Sequence, residues 1–185
     1  MNKIKLISAI LFIAFLFSCS GPASFYNFDT PLSSELAFSQ TTELKVNIPK
    51  GWFTAEDNKD GKIDLWLIEE NYSASISFIR IHIDEEMKKS RTENSLNRVK
   101  EFSLLNNKLA HRNNFIDLLK TENFELNGRE FNAYQFAGSN YRYRVVVFGY
   151  KGNYYECVSA IKPGLTEADL INIYSIQNSV LASIK

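Results

Sequence analysis

Several residue types that support specialised chemistry are scarce in this chain of 185 residues. The two histidines, His82 and His111, are too few and too differently placed for a convincing zinc site. Basic and acidic residues are equal in number, 21 each, so no net charge attracts nucleic acid. The sequence also lacks His-Glu-x-x-His, Gly-x-Ser-x-Gly and phosphate-loop patterns. We therefore predict a non-enzymatic protein with no catalytic residues, no cofactor and no nucleic-acid partner.

The first 19 residues have the organisation of a secretory leader. Lys3 and Lys5 give a short positive head, residues 6–17 form a near-continuous apolar run, and the small residue Ser18 precedes Cys19. About a dozen apolar residues make roughly 18 Å of helix, which is too short for a hydrocarbon core of roughly 30 Å. The run therefore predicts a cleaved leader and not a permanent transmembrane helix.

The end of this leader, Leu16-Phe17-Ser18-Cys19, resembles the lipobox of bacterial lipoproteins. The resemblance implies cleavage after Ser18, lipidation of Cys19 and a place in the cell envelope, on the periplasmic or surface side of a bacterial membrane. Two or three acyl chains, at about 0.8 kcal/mol per buried methylene, would make the membrane a permanent partner. The alternative is an ordinary signal peptide, with Cys19 discarded or left unmodified.

We divide the chain into a lipoprotein signal peptide (1–18), a lipidated cysteine with a flexible tether (19–35) and a single domain (36–185). Small, polar and proline-bearing residues without a period follow Cys19, which is typical of a tether. A hydrophobic content of 45% fits a packed domain. With Cys19 lipidated, Cys157 has no disulfide partner, and its apolar neighbours favour a small buried hydrophobe over a nucleophile paired with histidine.

The spacing of hydrophobic residues predicts a domain of strands and a few helices. Strands are expected at 44–48, 63–68, 75–83, 124–126, 130–136, 142–150 and 154–161, and helices at 92–109 and after Gly164. Segment 75–83 changes apolar phase, which predicts either a bulge or a strand covered on both faces. Segment 145–148 is apolar without alternation and predicts helices on both faces of the sheet. Thr166 and Asp169 predict a capping box for the last helix, which we expect to break near Ser175.

Four features together resemble the PsbP-like superfamily across residues 36–185. They are the strand leading into Pro49-Lys50-Gly51-Trp52, the turn Leu126-Asn127-Gly128, the following meander, and a last helix containing Ile176-Gln177-Asn178-Ser179-Val180. The resemblance implies an α+β fold in which an antiparallel β-sheet is flanked by helices on both faces, an α/β/α sandwich. It also implies a non-enzymatic scaffold. We further expect Trp52 to fold back over the sheet and to be buried.

One acidic loop has the oxygen-bearing side chains that calcium prefers. Glu56, Asn58, Asp60 and Asp64 occupy positions one, three, five and nine of an EF-hand-like loop, but position twelve is Leu67 and not glutamate. Because the bidentate carboxylate is missing, a solvated turn is the favoured interpretation, and no metal site is predicted.

A second candidate site is a set of aromatic and basic residues in the meander. The candidate ligand or partner face comprises Tyr141, Arg142, Tyr143, Arg144, Tyr150, Tyr154 and Tyr155. Aromatic rings interleaved with arginines stack sugars, bases or peptides. Ordinary cross-strand pairing on a half-exposed sheet is the alternative.

The sequence thus predicts a lipid-anchored envelope protein that binds or supports another envelope protein. A small-ligand or glycan carrier that uses the tyrosine and arginine face is the second hypothesis, and a hydrolase is the third. A flat apolar patch would favour the partner module, a large apolar pocket the carrier, and a buried pair of titratable groups the enzyme.

Overall fold

The computed structural model describes residues 22–39, 41–56, 61–83 and 95–185. The elements of these ranges are β1 (Leu32–Phe38), β2 (Lys45–Pro49), β3 (Trp52–Thr54), β4 (Leu65–Glu69), β5 (Ala74–Ile81), α1 (Ser95–His111), a 3-10 turn (Arg112–Asn114), β6 (Phe115–Leu126), β7 (Arg129–Gly138), β8 (Arg142–Tyr150), β9 (Asn153–Ile161) and α2 (Glu167–Ala182). The leader, Cys19, Asn58 and Asp60 lie outside the described residues.

Seven of the described strands form one sheet in the order β3-β4-β5-β9-β8-β7-β6. All neighbouring strands in it run antiparallel, and β1 and β2 form a separate antiparallel pair. The turns at Asn127-Gly128 and Lys151-Gly152 have positive φ at both residues, which is the geometry of the tightest hairpin connections. The predicted α+β class and the predicted hairpins are confirmed.

Strand β8 contributes alternate residues to two separate hydrophobic clusters. Val146 and Phe148 belong to the larger cluster, which contains the buried apolar residues of α2. Val145 and Val147 belong to the smaller cluster, which contains the buried apolar residues of α1. Successive side chains of a strand point to opposite faces, so the apolar run without alternation supplies both clusters. Each such side chain contributes about 1.5 to 3 kcal/mol when fully buried.

Strand β5 is divided between the clusters in the same way. Ile76 and Phe78 belong to the larger cluster and Ile81 to the smaller one. The pairing of β5 with β9 is continuous from Ala74 to Ile81, without a shift of register. The change of apolar phase is therefore not a bulge in β5; it reflects contacts on both faces of the strand.

Helix α2 begins with the predicted capping box and then continues without a break. The Thr166 hydroxyl accepts from the Asp169 amide, and the Asp169 carboxylate accepts from the Thr166 amide. The expected break near Ser175 is wrong, because the helix runs unbroken over Glu167–Ala182. The Ser175 hydroxyl donates to the Ile171 carbonyl at 2.8 Å, so it is satisfied inside the helix.

The described part of the predicted tether, residues 22–35, lies against the domain. The Pro22 carbonyl accepts from the Glu125 amide at 3.1 Å, and the Thr30 amide donates to Ser179 Oγ at 3.1 Å. Strand β1 begins at Leu32 and pairs with β2. The flexible tether predicted up to residue 35 therefore needs correction. Its small and polar residues allow close packing and backbone hydrogen bonding.

Candidate functional site

Three of the seven residues predicted to form a ligand face are buried. Arg144 and Tyr155 are 0% exposed and Tyr150 is 8% exposed. The Tyr150 hydroxyl donates to the Lys185 carbonyl at 2.6 Å, so its polar end is used inside the protein. None of the three presents a surface to a ligand.

The other four predicted residues lie at different places on the meander. Tyr141 is 38% exposed, and its ring centroid lies 6.0 Å from that of the half-buried Tyr143. Arg142 is exposed and forms a long ion pair with Glu167 at 3.8 Å. Tyr154 is half-buried near the start of β9. The structure does not bring the seven residues together on one surface.

Arg144 is the centre of a buried polar cluster. Its Nε and one terminal nitrogen donate to Glu122 Oε1 at 3.1 and 2.6 Å, and its other terminal nitrogen donates to Gln177 Oε1 at 2.8 Å. The guanidinium carbon lies 4.8 Å from the centroid of the Tyr26 ring. Burying an ion pair costs solvation free energy, which this set of hydrogen bonds and ring contacts offsets.

The same cluster holds the N-terminal segment, residues 22–30. The Phe25 amide donates to Glu122 Oε2 at 3.0 Å, so one carboxylate oxygen faces Arg144 and the other faces the segment. Asn178 Nδ2 donates to the Tyr26 carbonyl at 2.8 Å. Burial raises the pKa of Tyr26, which stays a neutral phenol beside the guanidinium. The cluster therefore fastens the start of the described chain to the sheet and to α2.

A second buried polar cluster lies under α1. Tyr134 Oη is 2.7 Å from Ser103 Oγ and accepts from Asn107 Nδ2 at 2.9 Å. The same Asn107 nitrogen lies 3.4 Å from Glu156 Oε2. Burial raises the pKa of Tyr134 and of Glu156. Because Tyr134 is 0% and Glu156 8% exposed, a substrate reaches neither while α1 stays in place. This cluster attaches α1 to the sheet.

Cys157 is a buried hydrophobe. It is 0% exposed, and burial raises its pKa to about 12, so it is a thiol at neutral pH and not a nucleophilic thiolate. It belongs to the larger cluster, whereas the His111 ring lies 5.2 Å from that of Phe136 in the smaller cluster. The predicted burial of Cys157 is confirmed, and the structure keeps it apart from His111.

The described residues of the candidate calcium loop form an internal contact. Asp64 is 5% exposed and accepts hydrogen bonds from the hydroxyls of Thr41 and Thr42. Glu56 is exposed. Among the residues that the structure describes, no group of three or more histidine, cysteine, aspartate or glutamate side chains is placed to hold a metal ion.

Large apolar side chains are exposed beside β6, which is the last strand of the sheet. We call this surface the edge patch; its members and exposed fractions are Leu105 (54%), Leu109 (63%), Ile116 (65%), Leu118 (37%) and Leu119 (43%). Exposed apolar residues that cluster in this way mark interaction sites, whereas single ones are ordinary.

A contact between α1 and β6 places the helix beside the strand. Lys108 Nζ lies 5.6 Å from the centroid of the Phe115 ring in β6. Leu105 is three residues before Lys108 and four before Leu109, so it is a neighbour of both on the surface of the helix. Leu105 and Leu109 of the edge patch therefore belong to the helix that borders β6.

Two bulges in β6 produce the rest of the edge patch. The register of β6 with β7 shifts between Phe115 and Asp117 and again between Leu118 and Lys120. Ile116 and Leu119 are the residues passed over, and a bulge residue is left without a cross-strand partner. The bulges break the alternation of apolar residues in 115–119, so the sequence did not predict this part of β6 as strand.

Comparisons with known proteins identify the fold. No family model and no curated protein matches the sequence. The solution structure of cyanobacterial PsbP (CyanoP) from Synechocystis sp. PCC 6803 is similar, with a TM-score of 0.58 and 14% identity over 92% of this chain and 98% of that chain. A crystal structure from Bacteroides thetaiotaomicron has a TM-score of 0.45 and 10% identity, covering 77% of this chain and 44% of its own. The likeness to CyanoP shows that this chain has a PsbP-like fold.

Proposed function

We propose that this protein is a lipoprotein of the bacterial envelope, anchored by lipid on Cys19, and that it acts as a non-enzymatic binding module for another envelope protein. The edge patch is the observation that carries the proposal. Exposed apolar surface costs roughly 25 cal/mol per Å², so a partner that covers the patch gains free energy. None of the helices among the described residues combines the length and the apolar composition needed to cross a bilayer.

The proposal includes the finer description of the fold, an α/β/α sandwich with helices on both faces of the sheet. The division of β5 and β8 between two clusters, one containing α1 and one containing α2, supports it. In such a sandwich both faces of the sheet are covered, and apolar residues remain accessible at its edge.

The chemistry of the proposed partner follows from the surroundings of the edge patch. Lys108, Arg112 and Lys120 are exposed around it. The exposed acids are Asp117, between its β6 members, and Glu101, which lies four residues before Leu105 and is paired with Lys100. A partner with an apolar centre and an acidic rim is complementary to this arrangement, because opposite charges at a rim guide the approach of two proteins.

A small-ligand carrier is the second candidate, and one cleft favours it. Tyr141, Arg142, Lys162 and Glu167 line a cleft of about 300 Å³ where the loop after β9 approaches the turn before β8. Ligand pockets are usually about 300 to 1,000 Å³ and largely apolar. The cleft is therefore at the small end of that range, and the edge patch is the better supported site.

The partner hypothesis predicts that a charge in the edge patch prevents binding. We expect Ile116→Lys and Leu119→Lys to lose the cross-linked partner in native cells, whereas Ile171→Lys retains it. Ile171 is the matched control because it is a 48% exposed isoleucine on α2. All three variants should unfold within about 0.5 kcal/mol of the parent, as surface substitutions do. Cross-linking with mass spectrometry measures the partner. Equal recovery with all variants would contradict the proposed site.

The anchor hypothesis predicts that Cys19→Ala releases the protein from membranes. The parent chain should partition into detergent and carry an acyl modification by mass spectrometry, whereas the variant should remain unprocessed or enter the aqueous phase. The hydrophobic transfer of two or three acyl chains is the physical reason. An unmodified parent chain in the aqueous phase would refute the anchor.

A further inference from the structure

We infer that the lipid anchor seats one end of the sheet on the lipid headgroups and holds the edge patch away from the membrane. The membrane end of the domain is the end that carries the turns at Asn127-Gly128 and Lys151-Gly152. The inference rests on the proposed function, because it requires lipid on Cys19, and it adds the orientation of the domain and the surface that meets the bilayer.

The length of chain between the anchor and the domain is the first argument. Only Ser20 and Gly21 separate Cys19 from Pro22, so three residue steps of at most 3.6 Å give a reach of about 11 Å. The Pro22 carbonyl accepts from the amide of Glu125, one residue before the end of β6. An anchor at Cys19 would therefore be at most about 11 Å from Pro22, which is itself bonded to Glu125 near the end of β6.

The docked segment cannot lengthen this connection without breaking its contacts. The Phe25 amide is bound to Glu122, the Tyr26 carbonyl to Asn178 and the Thr30 amide to Ser179. These bonds join the segment to two elements of the domain. The anchored chain therefore meets the domain at Pro22 and not at residue 36.

The antiparallel topology places several other features at this membrane end. Arg129 begins β7 next to the end of β8, where its guanidinium carbon lies 5.5 Å from the centroid of the Tyr150 ring. The half-exposed Phe28 lines the same cleft as Pro22 and Leu126. An exposed phenylalanine buries its apolar ring at the boundary between headgroups and acyl chains, so Phe28 is suited to contact lipid.

Charge does not supply the attraction to lipid at this end. Lys151 forms an ion pair with Glu43, and Glu125 and Glu130 are exposed next to Pro22. A mixed surface of this kind does not concentrate anionic lipids as a polybasic segment does. The short connection to the anchor and the aromatic contact therefore determine the orientation.

The edge patch lies at the opposite end of β6. Ten residues separate Leu126 from Ile116, and a rise of about 3.3 Å per residue gives roughly 30 Å. With the Pro22 end on the headgroups, the β6 part of the patch stands in the aqueous compartment. Its occupant is then a protein and not the bilayer that carries the anchor.

Site-specific labelling of the lipidated protein in vesicles tests this orientation. Glu130→Cys places a fluorophore at the membrane end and Asn140→Cys places one at the opposite end, and both positions are exposed. Cys157 is 0% exposed and stays unlabelled. With nitroxide-labelled headgroups in the vesicles, we expect several-fold stronger quenching at residue 130 than at residue 140. Equal or reversed quenching in protein that still floats with the vesicles would overturn the proposed orientation without contradicting the lipid anchor.

Two further measurements test the orientation of the domain and the lipid anchor separately. A Gly-Ser insertion of about twelve residues between Gly21 and Pro22 adds roughly 20 Å of flexible reach and should abolish the difference in quenching while flotation persists. A difference that survives the insertion would contradict the role of the short connection. Loss of flotation by the parent protein would overturn the lipid anchor, and the orientation with it.

Discussion

Replacing Arg144 with alanine is expected to lower the free energy of unfolding by about 3 to 5 kcal/mol, the usual cost of removing one partner of a buried ion pair. The variant leaves the Glu122 carboxylate, 8% exposed, without its cation, and leaves Gln177 Oε1 without its donor. Denaturant unfolding measures the loss. Protease cleavage within the N-terminal segment, residues 22–30, should also accelerate, because the ring of Tyr26 packs against the guanidinium.

The matched control is Arg142→Ala, two residues away on the same strand. Arg142 is exposed and its ion pair with Glu167 is long, so its loss should cost less than about 1 kcal/mol. Removing both charges, with Arg144→Met and Glu122→Gln, should cost less than the sum of the two single changes, since the residues interact directly. An Arg144→Ala variant as stable as Arg142→Ala would show that the buried pair contributes nothing.

Replacing Trp52 with alanine is expected to lower the free energy of unfolding by about 3 to 5 kcal/mol, through lost burial and the cavity that remains. Trp52 is 6% exposed and belongs to the larger cluster, which confirms the predicted burial. Gly51, with φ of 76°, forms the turn between β2 and β3, and Trp52 is the first residue of β3 and is paired with Glu69 of β4. Denaturant unfolding followed by circular dichroism, which does not depend on tryptophan, measures the change.

Trp66 on the neighbouring strand β4 is the control for this experiment. It is half-buried and lies outside the larger cluster, so Trp66→Ala should cost clearly less than Trp52→Ala. If Trp52→Ala lowered the free energy of unfolding by less than about 0.5 kcal/mol, the range of ordinary surface substitutions, the assignment of Trp52 to the core would be contradicted.

The meander was predictable because its signals are local. Strand β8 has the bounds 142–150 that its hydrophobic run and flanking glycines indicate. Strand β6 was largely missed, since its two bulges interrupt the period of two in 115–119 and residues 120–123 are all polar. The docked segment was missed as well, because its hydrogen bonds join residues as far apart as Tyr26 and Asn178.

The position of Arg144 was misjudged because arginine is rarely buried unless it is paired. A signal was nevertheless present in the sequence. Residues two apart in a strand point to the same face of the sheet. Arg144 therefore lies on the face of β8 that carries Val146 and Phe148, and Glu122 on the face of β6 that carries Phe124, and these three apolar residues belong to the larger cluster. An arginine and a glutamate at such positions indicate a buried pair, although only the tertiary structure shows that β8 and β6 lie on either side of β7 in the same sheet.

The docking of the N-terminal segment has a consequence for the order of folding. The partners of Tyr26 and Thr30 include Asn178 and Ser179, which lie in the last helix of the chain. During synthesis these partners emerge last, so residues 22–30 have no complete binding place until nearly the whole chain is present. Joining positions about 150 residues apart also carries a large loop-closure entropy. We therefore expect fastening of the segment to be a late step of folding.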